Sequence, residues 1–181
     1  LTKRKGIDQV LDAIALSPAQ TCENLCLLMV GPLGAGVADK ERLNTRISDL
    51  RTTSKAQIIV CDEFVADKDV QPYFQLSDFV LATYQKHVGM SNILIRAALA
   101  QKPVISSNYG LMGEVTRRFG LGLTVNSARP TEIALALTRC MTDKTEPLCN
   151  LIDTEQFGKQ NSAERFSQVI FQHLLKSAQK A

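Results

Sequence analysis

Apolar residues along the chain follow two patterns: short continuous runs, and positions spaced three or four residues apart. A short continuous run bounded by glycine, proline or polar residues is typical of a parallel strand that is buried on both faces. Such runs predict strands at 25–30, 58–61, 79–82, 103–106 and 121–125.

Between these runs, apolar residues recur at the spacing of amphipathic helices. Helices are predicted at 7–15, 39–51, 70–76, 93–100, 111–119, 131–141 and 162–176. Past Asp143 the register weakens, and residues 150–181 are interpreted as a C-terminal helical segment. Strands that alternate with helices predict βαβ units with right-handed crossovers. We therefore expect an α/β fold, a Rossmann-like three-layer α/β/α sandwich with a parallel sheet, built by residues 1–181 as a single domain.

Composition excludes some classes of function. Hydrophobic residues make up 45% and charged residues 22% of the 181 positions, and the net charge is +3. Lys and Arg are scattered and form no basic stripe with interleaved aromatic residues, so no nucleic-acid partner is expected. No apolar run approaches the roughly 20 residues that a membrane-spanning helix needs. Docking to a membrane surface is left open.

The cysteines and histidines give no pattern typical of a metal site. The five cysteines have no CxxC spacing, and His87 and His173 are the two histidines, so we expect no metal and no cofactor. Free thiols favour a reducing, cytoplasmic compartment. No signal-peptide pattern opens the chain, so none is expected. Because the chain opens at Leu1 without a methionine and enters a helical pattern almost at once, we expect it to be a piece of a longer polypeptide.

The stretch from His87 to Gly110 is the strongest candidate for one edge of a ligand site. It combines a loop, a helix, a buried strand and a tight loop. The turn contains Val88, Gly89 and Met90, and Ser91 or Asn92 is suited to cap the helix that follows. A loop that leads into a helix N-terminus just past a strand binds anionic ligands in parallel α/β proteins.

No catalytic signature is present, and the sequence assigns no catalytic residue. GxSxG, P-loop, dinucleotide GxGxxG and HExxH motifs are all missing. The glycine-rich loop that begins at Gly31 follows a predicted strand, but it lacks the lysine of a P-loop. Two interpretations stay open for this loop: a flexible strand-to-helix turn, or a wall of a ligand cleft.

Several motifs nevertheless resemble a known family in their order and spacing. They are Arg4-Lys5-Gly6-Ile7-Asp8, Leu28-Met29-Val30-Gly31, Ser77-Asp78-Phe79-Val80-Leu81, Ala98-Leu99-Ala100-Gln101-Lys102-Pro103-Val104-Ile105-Ser106-Ser107 and Gly120-Leu121-Gly122-Leu123-Thr124-Val125. Together they are similar to the C-terminal domain of retaining GT-B glycosyltransferases of the glycosyl transferases group 1 family. The resemblance covers residues 4–142.

The resemblance implies transfer of a sugar from a nucleotide-diphospho-sugar donor with retention at the anomeric carbon. The donor would bind to this domain, and the acceptor to a separate N-terminal domain that is missing from this chain. Lys5 matches the basic residue that contacts the diphosphate in the family. Gly89 and Met90 match a turn that offers backbone N–H groups at a helix N-terminus. A further arginine of the family falls upstream of Leu1.

The chain departs from the family at an E-x7-E pair of glutamates. In the family, the first glutamate contacts the donor sugar and the second contacts the ribose hydroxyls. Arg96 occupies the second position, and the first falls on Val88, or on His87 after a slip of one residue. An arginine has no acceptor for the hydrogen of a ribose hydroxyl, although it can pair with a phosphate or a carboxylate.

Each of these residues also has a simpler structural interpretation. Lys5 is either a solvated lysine at a helix start or a phosphate contact. His87 is either a loop histidine without a task or a polar group at the cleft. Arg96 is either a salt-bridged arginine or a substituted ligand contact. Gly110 fits a rim position that needs backbone freedom.

Three hypotheses are consistent with the sequence. The first is the donor-binding half of a GT-B glycosyltransferase, which is inactive without its acceptor domain. The second is a non-catalytic descendant of that domain, a binding or scaffolding module that has lost donor-sugar contacts. The third is an unrelated small-molecule-binding domain of flavodoxin type.

Overall fold

The computed structural model describes residues 1–142 and 145–178, with side chains described as far as residue 173. The strands in these ranges are Cys26–Val30 (β1), Gln57–Cys61 (β2), Val80–Ala82 (β3), Val104–Ser107 (β4) and Gly122–Val125 (β5). The α-helices are Ile7–Leu16 (α1), Ala19–Glu23 (α2), Val37–Thr53 (α3), Gln71–Leu76 (α4), Asn92–Leu99 (α5), Gly110–Arg118 (α6), Pro130–Thr142 (α7), Leu151–Gln160 (α8) and Ala163–Ala178 (α9). Lys3–Lys5 and Asp67–Asp69 form short 3-10 helices.

All strand pairs in the described residues are parallel. β1 pairs with β2, and β3, β4 and β5 form a second group in which β4 is central. Hydrophobic residues of both groups belong to one core cluster, which contains Met29, Ile58, Ile105 and Val125. This arrangement confirms the predicted α/β Rossmann-like fold.

The helices cover two faces of the strands. Neighbouring residues of a strand point to opposite faces, and β4 shows this clearly because Val104 and Ile105 belong to different hydrophobic clusters. Ile105 packs in the cluster that contains residues of α1, α3 and α7. Val104 packs in the cluster that contains residues of α5 and α6 together with Phe157 of α8. The strands therefore lie between two helical layers.

β1 and β2 are less buried than their apolar sequences predict. Ile58 in β2 is 4% exposed, whereas the next residue, Ile59, is 40% exposed. Because successive side chains point to opposite faces, one face of this strand packs against the core and the other is partly open. The expectation that these runs are buried on both faces is wrong for this strand pair.

A network of ion pairs fixes α3 against α1. Asp8 of α1 receives hydrogen bonds from the guanidinium groups of Arg42 and Arg46 of α3, with the Arg42 Nη1 to Asp8 Oδ1 distance at 2.7 Å. Partial burial by itself would raise the pKa of Asp8, but the Arg42 hydrogen bond and the two positive charges outweigh it and hold the pKa below its usual value. Since α1 follows the 3-10 helix Lys3–Lys5, which we call the basic segment, this network also fixes the helix to which that segment is attached.

Two of the helices, α2 and α8, have no separate counterpart in the hydrophobic pattern. α8 packs against α5, and its Phe157 is 2% exposed, with its ring centroid 4.9 Å from that of Phe119.

α9 matches the helix predicted at 162–176. Phe166 and Phe171 of α9 are exposed, and the side chains of the last residues of the predicted helix, 174–176, lie outside the described set. Within the described ranges, no helix has the length and apolar character to cross a membrane.

We expect Phe157→Ala to lower the free energy of unfolding by about 3–5 kcal/mol, because it removes a buried aromatic side chain and leaves a cavity between α5 and α8. Urea unfolding followed by circular dichroism measures the change. Phe166→Ala, on the exposed surface of α9, is the matched control and should change it by less than about 0.5 kcal/mol. Equal effects of the two substitutions would contradict the packing of α8 onto α5.

Candidate functional site

A basic segment that precedes α1 lies at the carboxyl ends of the strands. It forms the 3-10 helix Lys3–Lys5. Before it, the carbonyl oxygen of Leu1 accepts a hydrogen bond at 2.7 Å from the N–H of Gly34, in the loop after β1. Within it, the carbonyl oxygen of Arg4 accepts one at 2.9 Å from the N–H of Gln85, in the loop after β3. The segment therefore bridges two loops at the edge where parallel α/β sheets bind ligands.

Gly6 allows the basic segment to lie directly on the loop after β3. Its φ is +77°, a left-handed conformation, and a side chain here would overlap the carbonyl oxygen of Thr83. Thr83 also donates a hydrogen bond from its hydroxyl to the carbonyl oxygen of Lys5, at 3.3 Å. A glycine is required by both the backbone conformation and the close approach.

Five residues form a group that we call the Tyr84 cluster: Arg4, Lys5, Tyr84, His87 and Ser91. Tyr84 is 1% exposed, and its Oη accepts a hydrogen bond from Lys5 Nζ and lies 2.8 Å from Ser91 Oγ. Lys5 Nζ is 4.4 Å from the centroid of the Tyr84 ring, and the Arg4 guanidinium carbon is 5.5 Å from it. Two cations thus lie within range of a cation–π attraction to one buried ring.

Buried hydroxyl groups fix the backbone beneath this cluster. Ser127, after β5, donates from Oγ to the carbonyl oxygen of Tyr84 at 2.9 Å, and its Oγ can accept the hydroxyl hydrogen of Ser107, whose Oγ is 3.1 Å away. Gln85 donates from Nε2 to the carbonyl oxygens of Thr83 at 2.9 Å and Ser127 at 2.7 Å. The ends of β3, β4 and β5 are therefore linked by hydrogen bonds, and the cluster rests on a rigid base.

Gly110 supports the loop that contains His87 and Val88. The N–H of Leu111 donates to the carbonyl oxygen of Val88 at 2.9 Å. Gly110 has a φ of +60°, and a Cβ there would lie 2.6 Å from that same oxygen. The predicted need for backbone freedom at this position therefore has a direct cause in the structure, which is contact with the 87–88 backbone.

His87 lies on the inner side of this loop. Its ring centroid is 5.2 Å from that of Tyr84, and its Nε2 is buried and has no hydrogen-bond partner among the described residues. Buried polar atoms are almost always hydrogen-bonded in folded proteins. The unpaired nitrogen makes His87 a candidate ligand contact. Val88 and Met90 are exposed, and Gly89 lies next to His87, with an added Cβ 3.8 Å from its Nε2.

Ser91 occupies the N-cap position of α5, as predicted, but its side chain makes no capping hydrogen bond. The Ser91 hydroxyl faces Tyr84 Oη instead. The Ser91 side chain therefore accepts no hydrogen bond from the first turn of α5, whereas its carbonyl oxygen accepts one from the N–H of Leu94 at 3.1 Å. The other N–H groups at the helix start and the positive end of the helix dipole favour an anion at this position.

Arg96 contacts the segment that follows β2 and no residue of the Tyr84 cluster. Its guanidinium donates to the carboxylate of Asp67, and Gln71 Nε2 donates to the Arg96 carbonyl oxygen at 3.1 Å. The Arg96 side chain is 16% exposed, whereas that of Asp67 is 92% exposed. Of the two interpretations drawn from the sequence, the structure contains the salt-bridged arginine.

Gly31 is not part of the cluster. Its φ is +114°, its N–H donates to the carbonyl oxygen of Cys61 at 3.0 Å, and an added Cβ would have no atom within 4 Å. The structure thus gathers Lys5, His87 and Ser91 around Tyr84, places Val88, Gly89, Met90 and Gly110 in or against the adjoining loop, and leaves Gly31 and Arg96 outside this group.

The described residues contain no group of three His, Cys, Asp or Glu side chains that is suited to a metal. Burial raises the pKa of the Cys140 thiol to about 11 and raises that of Cys149 as well, so neither is an activated nucleophile. Two open grooves border Gly122, one lined by the 147–152 segment and the other by α7, and neither includes a residue of the Tyr84 cluster.

Tyr84 is the functional candidate that sequence reasoning missed. Its sequence signal is weak: an aromatic residue among polar residues just after a predicted strand, where a loop usually carries small side chains. Nothing in the local pattern places it beneath Lys5, which is 79 residues earlier in the chain. The contact arises from the close approach at Gly6.

Comparison with known protein families gives one match. The model of the family "Glycosyl transferases group 1" matches residues 1–143. No curated protein sequence matches the chain.

Several solved structures share the fold. Anabaena Alr3699/HepE in complex with UDP-glucose is 21% identical in sequence to this chain. The TM-score is 0.74, and the alignment covers 100% of this chain and 47% of that one. The C-terminal domain of a glycosyl transferase group 1 family protein (LpcC) from Francisella tularensis is 17% identical, with a TM-score of 0.71 over 89% of this chain and 83% of that domain. The N-terminal domain of Candida albicans trehalose-6-phosphate phosphatase is 16% identical, with a TM-score of 0.74 over 97% and 40%. This chain spans about half the length of the HepE structure.

We expect Gly6→Ala to lower the free energy of unfolding by about 1–3 kcal/mol, because it strains the backbone and forces the basic segment off Thr83. Thermal unfolding measures the loss. Gly36→Ala is the matched control, since Gly36 has an extended backbone and no atom within 4 Å of an added Cβ. A Gly6→Ala protein as stable as the Gly36→Ala protein would contradict the close approach at Thr83.

Proposed function

The chain belongs to the glycosyl transferases group 1 family, and on this premise we propose that it is the donor-binding domain of a retaining glycosyltransferase. It would bind a nucleotide-diphospho-sugar, and a separate N-terminal domain of the same polypeptide would bind the acceptor. In this proposal residues 1–181 act as one domain, with 150–181 as its C-terminal helical segment. Membership in the family excludes the third hypothesis, an unrelated domain of flavodoxin type. The cytoplasmic location stays a prediction.

The observation that carries the proposal is the Tyr84 cluster at the carboxyl ends of the strands. It combines the ammonium of Lys5 and the guanidinium of Arg4 with the uncapped N-terminus of α5. These groups are hydrogen-bond donors with full or partial positive charge, and a diphosphate is an anion that can accept hydrogen bonds from them. Anabaena HepE, which has a related fold, has been solved in complex with UDP, with UDP-glucose, and with UDP and glucose, which supports a nucleotide-sugar as the ligand class.

The chemistry that follows from this arrangement is stabilisation of the leaving group. When the bond between the anomeric carbon and the diphosphate oxygen breaks, negative charge develops on the departing nucleoside diphosphate. Lys5 and the α5 N–H groups, held in place before the reaction, would stabilise that charge. In the proposal, Val88, Gly89 and Met90 form the loop beside the donor, Gly110 supports this loop, Gly31 forms a distant wall, and His87 uses its unpaired Nε2 as a hydrogen-bond partner of the donor sugar.

Arg96 holds Asp67, and this pair suggests how a ribose contact is made without a glutamate on α5. The carboxylate of Asp67 is bound by a half-buried guanidinium on one side and is open to solvent on the other. A carboxylate has room to accept further hydrogen bonds beyond one arginine. We propose that Asp67 accepts the ribose hydroxyls and that Arg96 positions it.

One observation favours a second function. Neither glutamate of the E-x7-E pair is present, since Arg96 and either Val88 or His87 occupy those positions. A non-catalytic binding or scaffolding module derived from a GT-B enzyme would have lost these contacts together with its donor affinity. Nucleotide binding separates the two functions.

We expect the chain to bind at least one of UDP, GDP and ADP, and Lys5→Met to weaken that binding about tenfold through loss of a charged contact to phosphate. Isothermal titration calorimetry at two salt concentrations measures the affinity. Lys159→Met on α8, which removes an exposed lysine remote from the cluster, should leave it unchanged. Failure of all three nucleotides to bind would reject the donor-binding function and favour the scaffolding module.

We expect Asp67→Asn to weaken binding of the nucleoside diphosphate several-fold and to remove the preference for it over its 2′-deoxy analogue. The reason is that an amide is a poorer acceptor for a ribose hydroxyl than a carboxylate. Because Asp67 is exposed, loss of its ion pair with Arg96 should lower the free energy of unfolding by only about 1 kcal/mol or less, which thermal unfolding measures. Asp69→Asn, on the same 3-10 helix, is the control. If the Asp67→Asn protein still prefers the nucleoside diphosphate over its 2′-deoxy analogue, Asp67 does not contact the ribose hydroxyls.

A further inference from the structure

We propose that Tyr84 is a positioning residue for the diphosphate site, and that its phenol sets the separation between the Lys5 ammonium and the N-terminus of α5. This inference rests on the proposed function, because these are the two groups that would hold the donor's diphosphate. No motif of the chain marks Tyr84, and its role is inferred from its contacts.

The phenol oxygen is shared by two partners from different parts of the chain. Lys5 Nζ is a donor only, so Tyr84 Oη accepts in that bond. The phenol hydrogen is then available to donate to Ser91 Oγ, 2.8 Å away. A single atom thus connects the 3-10 helix before α1 with the N-cap residue of α5.

The Tyr84 ring stays in place when the flexible Lys5 side chain moves, because burial and contacts with other residues fix it. The residue is 1% exposed, its carbonyl oxygen accepts the Ser127 hydroxyl at 2.9 Å, and its ring lies against that of His87. The lysine side chain is otherwise long and rotatable, so a fixed partner reduces the ordering required when a ligand binds.

The hydrogen-bond partner of Lys5 is the phenol of Tyr84, which carries no negative charge to pair with the ammonium. Among the described side chains, no carboxylate lies within ion-pair distance of Lys5. A carboxylate would hold the lysine equally well, but it would cancel the charge that attracts a diphosphate. The phenol fixes the ammonium and leaves its full charge for the ligand.

Ser91 gives independent support for the same arrangement. Serine at an N-cap usually accepts a hydrogen bond from an N–H of the first turn, yet this serine makes no such bond. Its hydroxyl contacts Tyr84 Oη instead, so the side chain does not cover the helix start, where the N–H of Leu94 donates to the Ser91 carbonyl oxygen. The same contact therefore positions the lysine and keeps the helix N-terminus available for a second phosphate oxygen.

The test is Tyr84→Phe, which keeps the ring and removes the shared oxygen. Calorimetry with UDP and with uridine measures the two affinities, each on the unchanged chain, Tyr84→Phe, Lys5→Met and the double variant. We expect Tyr84→Phe to weaken UDP binding about five- to tenfold through loss of a preorganised charged contact, and to leave uridine binding unchanged. In the Lys5→Met background, Tyr84→Phe should have little further effect, because the two residues act through the same phosphate contact. Tyr73→Phe on α4 is the matched control.

The outcomes are distinguishable. UDP affinity that is unchanged in Tyr84→Phe, or UDP and uridine affinities that fall equally, would overturn this inference and leave the proposed function standing. If the unchanged chain binds none of UDP, GDP and ADP, both this inference and the proposed function are overturned. If Tyr84→Phe does not fold, Ser91→Ala breaks the other half of the bridge without touching the buried ring. A two- to threefold loss for UDP alone would then support the inference, and no loss would reject it.

Discussion

The close approach of Gly6 to the loop after β3 is the contact on which the candidate site depends. The hydrogen bonds at Thr83 and Gln85 fix the backbone of the basic segment there, and no residue with a side chain fits at Gly6. This approach brings Lys5 over Tyr84, and Tyr84 in turn contacts Ser91 at the start of α5. The charged groups are therefore placed by backbone contacts and a buried ring, and no ion pair between them is needed.

The rest of the fold provides the rigidity that this contact requires. Asp8 is held by two arginines of α3, which fixes α1 behind the basic segment. Ser107 and Ser127 link the ends of β4 and β5 to the Tyr84 backbone. Since buried hydrogen-bonded networks hold their members in one geometry, the cluster is organised before any ligand arrives. Preorganised charge is what stabilisation of a leaving group requires.

The sequence predicts the strands to within one or two residues, because each strand is a continuous apolar run between turn residues. It also predicts Lys5, His87, Ser91 and Gly110 as site residues, and the structure brings Lys5, His87 and Ser91 together around Tyr84 with Gly110 against the adjoining loop. It predicts a helical segment at 150–181 but does not resolve α8 within it, because the position of α8 is set by packing of Phe157 against Phe119 rather than by a clear period. It gives no partner for Tyr84 or Arg96, because both contacts join segments that are far apart in the chain and depend on the finished fold.

The ion pair between Arg96 and Asp67 has a consequence for how this surface can change by mutation. A glutamate at position 96 would face the carboxylate of Asp67, and two like charges at this distance repel each other. Substitution of Asp67 alone would leave the half-buried guanidinium of Arg96 without its counter-ion. Each single step is therefore less favourable than the present pair or than a pair with both residues exchanged. The identity of residue 67 and that of residue 96 are expected to vary together among relatives of this chain.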